Sequence, residues 1–536
     1  MLRLLVWSVL AAGSAVAGSR PVRIGVVRIE SQDVFSADEA AKGWFYRFAD
    51  RVHIVTKDAF LRKQLLFREG DVLDIAKLAE TERNLRALPF IKSASVVAST
   101  PIDGVSDVLV VTQDAWTTQP GGSFGSKGGK TTYSLEFQET DALGWGKSIA
   151  LSYDQGSERT TRSILYQDPY LFSPFWRGKL LYADNSDGRQ RALEVFRPFY
   201  SFQAPWSADL SLEHLAEREK IYENGVTFST YRREHRDRNY SYGRAIDAAE
   251  SEAHRWTGGV EILEDDFTAI AGEASPVIPD RRSFRYLYAT YEAVGNAFAT
   301  LNYINRDSRY EDFNLAPRIF VKAAYSPTWL GAPMNSSFFE VDASGGYSFG
   351  DDSFAQAEVD AQSRFASGPQ NAIVSAFVGY ARRFRDASPL QTFVARVQYD
   401  QGWHLDRDVQ FAADGLTGLR GYRLHAWTGD RRFIANVEQR FFSEREYLQL
   451  VSPGAVVFFD TGAAAPHGAP LWSFSQFHSD VGVGVRLAIA RAGGNNILRI
   501  DLAYPFDKDP RGRHGLLVSF SSSQAFSFRR SSPSGD

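Results

Sequence analysis

The 536-residue sequence contains no cysteine, which excludes both disulfides and thiol chemistry. After the N-terminal twenty residues it has no long apolar run, and a membrane-spanning helix needs about 20 such residues. The nine histidines show no H-E-x-x-H or comparable metal-ligand spacing. A net charge of −4 does not favour nucleic-acid binding. We therefore expect no transmembrane helix, no cofactor, no metal and no nucleic-acid partner.

The first residues have the pattern of an export signal. Arg3 precedes an apolar run over residues 4–12, and Ala15 and Ala17 are the small residues that signal peptidases read. We expect cleavage after residue 17, which makes residues 1–17 a signal peptide. An oxidising compartment such as the periplasm suits a chain without cysteine.

Aromatic residues make up 14% of the chain, although the mean hydropathy is negative. Outer-membrane β-barrels combine these two properties, because lipid-facing and lumen-facing residues alternate and aromatic girdles mark the membrane interfaces. Alternation is clearest over residues 481–490 and 498–504, where Arg486, Arg499 and Asp501 lie opposite apolar faces. Charges on inward faces predict a water-filled interior.

This pattern predicts a mainly β chain, with a transmembrane antiparallel β-barrel over residues 119–528. Strand-like segments number between sixteen and about twenty, and no convincing helix follows residue 115. Two hairpins inserted around residues 226–292 are one source of a larger strand number. The serine-rich, charged residues 529–536 are predicted to be a disordered tail.

Residues 18–118 have a different pattern, which predicts a small α+β periplasmic domain. Leucine spacing indicates two helices that begin near Asp58 and Asp74. The predicted elements are a strand near Ile24–Ile29, helices over Thr56–Phe67 and Ile75–Leu88, and strands over Ile91–Ala98 and Asp107–Thr112. The edge of such a sheet can accept a client peptide as an added strand. A structural plug or a simple spacer is the alternative.

A glycine-flanked arginine stands out in the C-terminal part of the barrel. The motif is Gly418-Leu419-Arg420-Gly421-Tyr422. It suits a sharp loop that carries a guanidinium into a confined space, which in a barrel is the lumen. An ordinary surface loop is the alternative.

Two sets of short motifs resemble known families. Residues 64–71, 82–85 and 90–91 resemble the helical core of a polypeptide-transport-associated (POTRA) domain. The barrel resembles the superfamily of outer-membrane assembly factors and two-partner-secretion transporters, to which BamA and TamA belong. Its motifs here are ALGWG at 142–146, DPYLF at 168–172, LRGY at 419–422 and FDTG at 459–462. The resemblance implies a sixteen-stranded barrel in the bacterial outer membrane, with one POTRA domain in the periplasm.

The resemblance also implies that Arg420 points into the barrel and pairs with carboxylates on later strands. Glu438 and Asp460 are the candidates by position. Asp460 shares its face with Val456 and Phe458, and an unpaired charge among apolar residues is costly, so a partner such as Arg420 explains it. For stability alone, these three residues need do no more than anchor the loop.

The predicted barrel seam joins the first strand to the last. Gly121 and Gly125 lie in the glycine-rich first strand, and we expect the last strand over residues 514–526. Gly515, Val518 and Phe520 have the spacing of the family signal by which barrels are recognised for insertion, as the resemblance implies. A weak seam can open sideways and template a client strand. The tail beyond Phe528 departs from the family pattern.

These observations favour an outer-membrane assembly, insertion or translocation factor. Its expected partners are outer-membrane lipids, unfolded client proteins and periplasmic accessory proteins. A passive pore and a two-partner-secretion transporter with a dedicated exoprotein are the alternatives. Residues 121–125 match G-x-S-x-G, but that motif needs a strand before it and a helix after it, so we expect no enzymatic activity.

Overall fold

The computed structural model describes residues 21–34, 53–127, 130–156, 158–248, 251–305, 310–443, 445, 447, 451–489 and 497–521. The predicted signal peptide and tail lie outside these residues. The described chain is mainly β, which confirms that part of the fold prediction. In this part of the chain, none of the helices has the length and apolar character needed to cross a membrane.

The N-terminal unit has the predicted element order. It consists of β1 (Arg23–Gln32), α1 (Asp58–Gln64), α2 (Ile75–Ala87), β2 (Ile91–Ala98) and β3 (Val105–Asp114), with sheet order β1-β3-β2. Helix α1 is shorter than predicted, because the backbone turns extended at Leu65. Asp74 caps α2 as predicted, and its side chain accepts the Lys77 N–H at 3.1 Å. Lys57, not Asp58, occupies the N-cap of α1.

The helices pack on one face of this small sheet. Leu61 of α1, Leu85 of α2 and Ile91 of β2 are completely buried. Burial of each such side chain contributes about 1.5–3 kcal/mol to stability. The unit therefore has a hydrophobic core of its own.

Twenty further strands form one antiparallel sheet whose order is circular, with the last strand beside the first. Twenty is the upper end of the segment count, and not the sixteen that the resemblance implies. The barrel strands are β4 (Thr118–Lys127), β5 (Lys130–Ala142), β6 (Lys147–Gln155), β7 (Thr160–Asp168), β8 (Arg177–Asn185), β9 (Gly188–Arg197), β10 (Trp206–Glu223), β11 (Val226–Ala248), β12 (Glu252–Ala269), β13 (Arg282–Gly295), β16 (Arg318–Ser326), β17 (Ser336–Ser348), β18 (Ser353–Phe365), β19 (Pro369–Phe384), β20 (Leu390–Trp403), β23 (Arg431–Phe442), β24 (Val451–Ala465), β25 (His478–Ile489), β26 (Ile497–Pro505) and β27 (Leu517–Ser521). Two hairpins lie outside this sheet, β14 (Phe298–Leu301) with β15 (Glu311–Asn314) and β21 (Phe411–Ala413) with β22 (Trp427–Gly429).

Period-two alternation separates an apolar outward face from a polar inward face. On β25, Val483 is 53% exposed on the outside, whereas Arg486 is 2% exposed on the inside. Arg499 and Asp501 on β26 are also buried. The prediction of a water-filled interior is wrong for this part of the barrel, because connecting segments described below enter it and cover these charges.

The region around residues 226–292, where the sequence suggested two additional hairpins, contains three long barrel strands, β11, β12 and β13. Strand β9 pairs with β10 only as far as Ala216. Residues 217–223 of β10 and their partners in β11 therefore project beyond the neighbouring β8–β9 turn by roughly 20 Å, at about 3.3 Å per residue. We call this end of the barrel the far rim and the opposite end the near rim.

The N-terminal unit contacts the near rim through several strand connections. The family motif at 142–146 forms the β5–β6 turn, where Gly144 accepts the Lys57 N–H at 3.0 Å and Trp145 packs on the hydrophobic core of the unit. At the β9–β10 turn, Glu80 of α2 accepts the Phe202 N–H at 2.8 Å. In the β13–β16 connection, Arg86 of α2 binds Asp312 at 3.0 Å. These contacts at three strand connections fix the N-terminal unit against the barrel.

A buried polar cluster joins the two parts at the same junction. Thr56 donates its N–H to Asp114 of β3 at 2.7 Å and its hydroxyl to Asp141 of β5 at 2.8 Å. His53 contacts Asp114 at 3.1 Å. Burial lowers the pKa of His53, but the hydrogen bond to Asp114 and the charges of Asp114, Asp33 and Asp141 outweigh it and raise that pKa above 6.5.

We expect Gly144→Ala to loosen the junction. Gly144 has φ +74°, and an added Cβ would lie 2.7 Å from the Val55 carbonyl oxygen. Gly272→Ala is the matched control, because Gly272 has φ +82° and no atom within 4 Å of its Cβ position. Both variants carry the backbone cost of about 1 kcal/mol, and only Gly144→Ala adds the clash. Faster proteolytic release of the N-terminal unit in Gly144→Ala than in Gly272→Ala would show this, and equal rates would contradict it.

We expect the junction to weaken at high pH. A raised pKa means that protonated His53 stabilises the folded state below pH 6.5, and that this contribution is lost as the pH rises through the raised pKa. Hydrogen exchange at Thr56 should therefore accelerate, beyond its intrinsic pH dependence, between pH 6 and pH 9. His53→Gln should remove this excess. An excess that persists unchanged in His53→Gln would contradict the assignment.

Candidate functional site

The connection between β20 and β23 carries the arginine motif into the barrel from the far rim. Its β21–β22 hairpin frames a small core in which Leu419 is fully buried and Tyr422 is 1% exposed. The Tyr422 hydroxyl donates to the Ser479 carbonyl on β25 at 2.8 Å. The motif is therefore not an ordinary surface loop, which was the alternative from sequence.

Asp414 organises the fold of this connection, and sequence analysis did not identify it. Its carboxylate accepts the backbone N–H groups of Leu416 and Thr417 at 2.9 and 3.0 Å, and that of His425 at 2.6 Å. A carboxylate that accepts the N–H two and three residues later is the usual Asx-type turn. The Asp-Gly dipeptide at 414–415 is the sequence signal that could have predicted this turn.

Both glycines of the motif are required by close approach. Gly418 has φ +137°, and a Cβ there would lie 2.8 Å from Arg396 Nη2 and 2.9 Å from Asn436 Oδ1. At Gly421 a Cβ would lie 2.6 Å from the Cβ of Asp480. The two glycines let the backbone lie directly against the barrel wall, which places Arg420 between them at the inner face.

The structure brings Arg420 together with both predicted partners. Its Nε and Nη2 donate to the two oxygens of Asp460 at 2.7 and 2.8 Å, a bidentate pair. Its Nη1 donates to Glu438 at 2.5 Å. A third carboxylate, Asp501 of β26, lies 3.6 Å away. Sequence analysis placed Asp501 on an inward face but did not connect it to Arg420.

Phe458, an apolar residue on the same face as Asp460, has a specific partner there. The Arg420 guanidinium carbon lies 3.5 Å from the centroid of the Phe458 ring, which is a cation–π contact. The sequence treated Val456 and Phe458 as an awkward setting for Asp460. Phe458 lies two residues before Asp460 on the same inward face. Its ring lies under the Arg420 guanidinium, the cation that Asp460 binds.

Other buried charges extend this network along the inner wall. Arg440 donates to the second oxygen of Glu438 at 2.7 Å, and Arg486 donates to Asp501 at 2.6 Å. Asn436 bridges the Gly418 carbonyl and Asp460, with both distances 2.6 Å. These charges lie on β23, β24, β25 and β26, and each of the carboxylates Glu438, Asp460 and Asp501 binds at least one arginine.

The projecting hairpin of β10 and β11 holds the same connection from outside. Tyr222 stacks on His425, with ring centroids 3.5 Å apart and planes at 5°. The backbone of Tyr222 exchanges two 3.0 Å hydrogen bonds with the Gln410 amide. Arg282 of β13 binds Asp408 at 2.6 Å. The arginine loop is thus fixed at its base inside the barrel and at its outer part above the far rim.

The β14–β15 hairpin enters the interior from the near rim. Ile304 and Leu301 pack against inward residues of β18, β19 and β20, namely Phe354, Ala381 and Val394. Arg440 donates a hydrogen bond to the Ile304 carbonyl. Arg440 therefore contacts both the near-rim hairpin and, through Glu438, the far-rim loop.

The structure places the predicted seam strands side by side. Gly121 and Gly125 lie in β4, opposite Glu136 and Thr132 of β5, and β4 neighbours β27. Val518 faces outward, and Phe520 pairs with Ile500 of β26. The predicted start of the last strand at residue 514 is wrong, because Gly515 has φ +146° and the strand begins at Leu517. Residues beyond 521, including Phe526 and Phe528, lie outside the described residues.

Within the described part of the chain, no group of three or more His, Asp or Glu residues is arranged to hold a metal ion. The site is instead a set of paired charges inside a large antiparallel barrel. Chemically, it binds and positions a loop.

The solved structures that are similar to this chain have low sequence identity to it. No family model and no curated protein matches the chain. The chain is similar to the solved structures of CdiB from Acinetobacter baumannii (11% identity, TM-score 0.47, covering 93% of this chain and 73% of that one), CdiB from Escherichia coli (12%, 0.47, 92% and 75%) and BamA from Haemophilus ducreyi lacking POTRA domains 1–3 (12%, 0.39, 94% and 85%).

We expect Arg420→Ala to destabilise the folded barrel by about 3–5 kcal/mol, because it leaves the buried carboxylates of Glu438 and Asp460 without their shared cation. Arg407→Ala is the matched control, since Arg407 is exposed in the same connection. The melting temperature of the heat-modifiable band on SDS gels measures the effect. Equal melting temperatures for the two variants would contradict the assigned role. Arg420→Lys should be intermediate, because an ammonium keeps the charge but cannot form the bidentate pair.

Proposed function

We propose that this chain is an outer-membrane β-barrel that inserts or translocates polypeptide clients, with its N-terminal unit in the periplasm as a single POTRA domain. The outward face supports the membrane location. Large apolar residues are exposed there on successive strands, including Phe137, Leu151, Phe339, Val457 and Leu502. Exposed apolar bands of this extent need a lipid environment.

One observation carries the proposal of a transport function: the arginine loop is attached to three of the four strands that precede β27, the last strand. Arg420 pairs with Glu438 on β23, Asp460 on β24 and Asp501 on β26. Strand β26 pairs directly with β27, the last strand. The loop thus supports one side of the seam from inside the barrel. A passive pore has no need of this arrangement.

The seam itself is suited to opening. Separation of β4 from β27 would expose backbone N–H and C=O groups on both strands, and an extended client can pair with them. Glycines at 121, 122 and 125 weaken β4, because glycine in a strand lacks a side chain to pack and loses more entropy on ordering. Strand exchange requires no nucleotide and no bond chemistry, so we propose a protein without enzymatic activity.

We propose that the N-terminal unit captures the client along β2, one of the two edges of its sheet. The other edge strand, β1, is already engaged, because Val27 donates its N–H to Glu69 at 3.0 Å and Ile24 pairs with Asp71 and Gly70. On β2, Val97 is well exposed, and the Val96 N–H is bound by the Glu82 side chain at 3.0 Å. A client strand that pairs with β2 would have to displace Glu82.

A disulfide across the seam should abolish function. The chain has no cysteine, so each engineered pair is unambiguous. Val518→Cys on β27 would be combined in turn with cysteine at residues 121–124 of β4. The locked protein should fail to restore the outer-membrane proteome of a depletion strain, and reduction should rescue it.

The matched control is a disulfide between Val483→Cys and Leu502→Cys, which face each other on β25 and β26 away from the seam. Directly opposed strand residues have the Cα separation that a disulfide needs. Full activity of the locked seam would contradict lateral opening. Client-independent conductance in planar bilayers, with an unchanged proteome on depletion, would favour the passive pore. Loss of a single exoprotein would favour the two-partner-secretion alternative.

A further inference from the structure

Two adjacent rows of outward-facing residues cross strands β8 to β12, just below the β8–β9 turn. The strand register fixes both rows, since their members are direct cross-strand partners. The first row is Tyr182, Arg191, His214, Arg236 and Glu264, and the second is Leu180, Leu193, Leu212, Arg238 and Ile262. Directly opposed residues have Cβ atoms about 4.5–5.5 Å apart, so each row is a continuous strip. A mostly charged strip therefore lies directly beside a mostly apolar one.

A surface groove of about 360 Å³ lies where these rows meet. Its lining includes Leu180, Leu193 and Leu212 from the apolar row. Arg191, His214, Arg236 and Arg238 line it as well. The groove thus offers several cationic donors beside an apolar surface.

Glu213 and Asp237 also line the groove, but they lie on the inward face of their strands. On the outward face, arginines exceed their acidic partners. Glu234 binds both His214, at 3.0 Å, and Arg236. The Arg191 guanidinium lies 5.8 Å from the centroid of the Tyr182 ring. Among the described residues, neither Arg191 nor Arg238 has a carboxylate within 4 Å. Arg191 and Arg238 are exposed, so their guanidinium groups are available to an added anion.

The position of the groove indicates what kind of anion binds. The next row towards the near rim is apolar, with Val195, Leu210, Tyr240, Val260 and Leu287 as cross-strand partners. The next row towards the far rim is polar and charged, with Arg189, Ala216, Glu234 and Asp266. The groove therefore lies at the boundary between the apolar band and the projecting strands, where lipid headgroups would be.

We propose that this groove binds a phosphorylated lipid of the leaflet on the far-rim side. Arg191 and Arg238 bind the headgroup phosphate, which accepts hydrogen bonds from a guanidinium in a bidentate manner. Acyl chains lie along Leu180, Leu193 and Leu212. This inference depends on the membrane location proposed above, but not on client transport.

Native mass spectrometry of the detergent-solubilised full-length protein, titrated with lipid A as a phosphorylated glycolipid, tests the proposal. Wild type should bind lipid A at least tenfold more tightly than R191Q/R238Q. The matched control is R244Q. Arg244 is an outward-facing arginine on β11, the strand of Arg238, but it lies close to the near rim. R244Q should bind like wild type. A single R191Q variant gives a second measurement if the double variant yields little folded protein.

Three outcomes would overturn the inference. These are equal affinity in R191Q/R238Q and wild type, equal binding of dephosphorylated lipid A, and full competition by millimolar inorganic phosphate, which would indicate a site for the free ion. Incorporation into nanodiscs is measured separately. Failure to enter nanodiscs would contradict the proposed function, whereas entry without phosphate-dependent binding would contradict the lipid site alone.

Discussion

A guanidinium that is removed from water must have its charge matched, and the interior of this barrel is arranged around that requirement. Arg420 is 6% exposed and reaches three carboxylates on three strands. Desolvation of each buried ion costs several kcal/mol, and only close, hydrogen-bonded pairing offsets it. The bidentate geometry to Asp460 and the ring of Phe458 beneath the guanidinium supply that pairing. Because its partners lie on β23, β24 and β26, the loop is held in one position relative to the wall.

The same charges connect segments that enter the barrel from opposite rims. Arg86 on α2 binds Asp312, which belongs to the β14–β15 hairpin. That hairpin provides the Ile304 carbonyl to Arg440, and Arg440 shares Glu438 with Arg420. A continuous series of contacts therefore runs from the N-terminal unit, through the interior, to the far-rim loop. A displacement of α2 would act first on this hairpin.

Sequence alone predicted the features that depend on periodicity. Alternation identified the inward positions of Glu438 and Asp501, because a residue period of two is a property of every strand. Alternation failed at Asp460, which was predicted instead from the resemblance and from the cost of an unpaired charge among apolar residues. It could not identify the role of Phe458, since a ring under a cation is a three-dimensional relation between residues 38 positions apart. The hairpin at 298–314 and the turn at Asp414 were missed for a related reason. Short, aperiodic segments carry little pattern, and their structure depends on the surface that they contact.

The N-terminal unit and the arginine loop contact different strands of the barrel. The N-terminal unit binds turns that follow β4 in the chain, such as β5–β6 through Gly144 and β9–β10 through Phe202. All ion pairs of Arg420 instead involve strands β23 to β26, which precede β27. In the described residues, none of these contacts joins β4 to β27. The two edges can separate without breaking these charge pairs, because Arg420 and its partners all lie on the β27 side of the seam. Under the proposed function, a client strand held by the N-terminal unit would approach from the β4 side, where the backbone is least constrained by side chains.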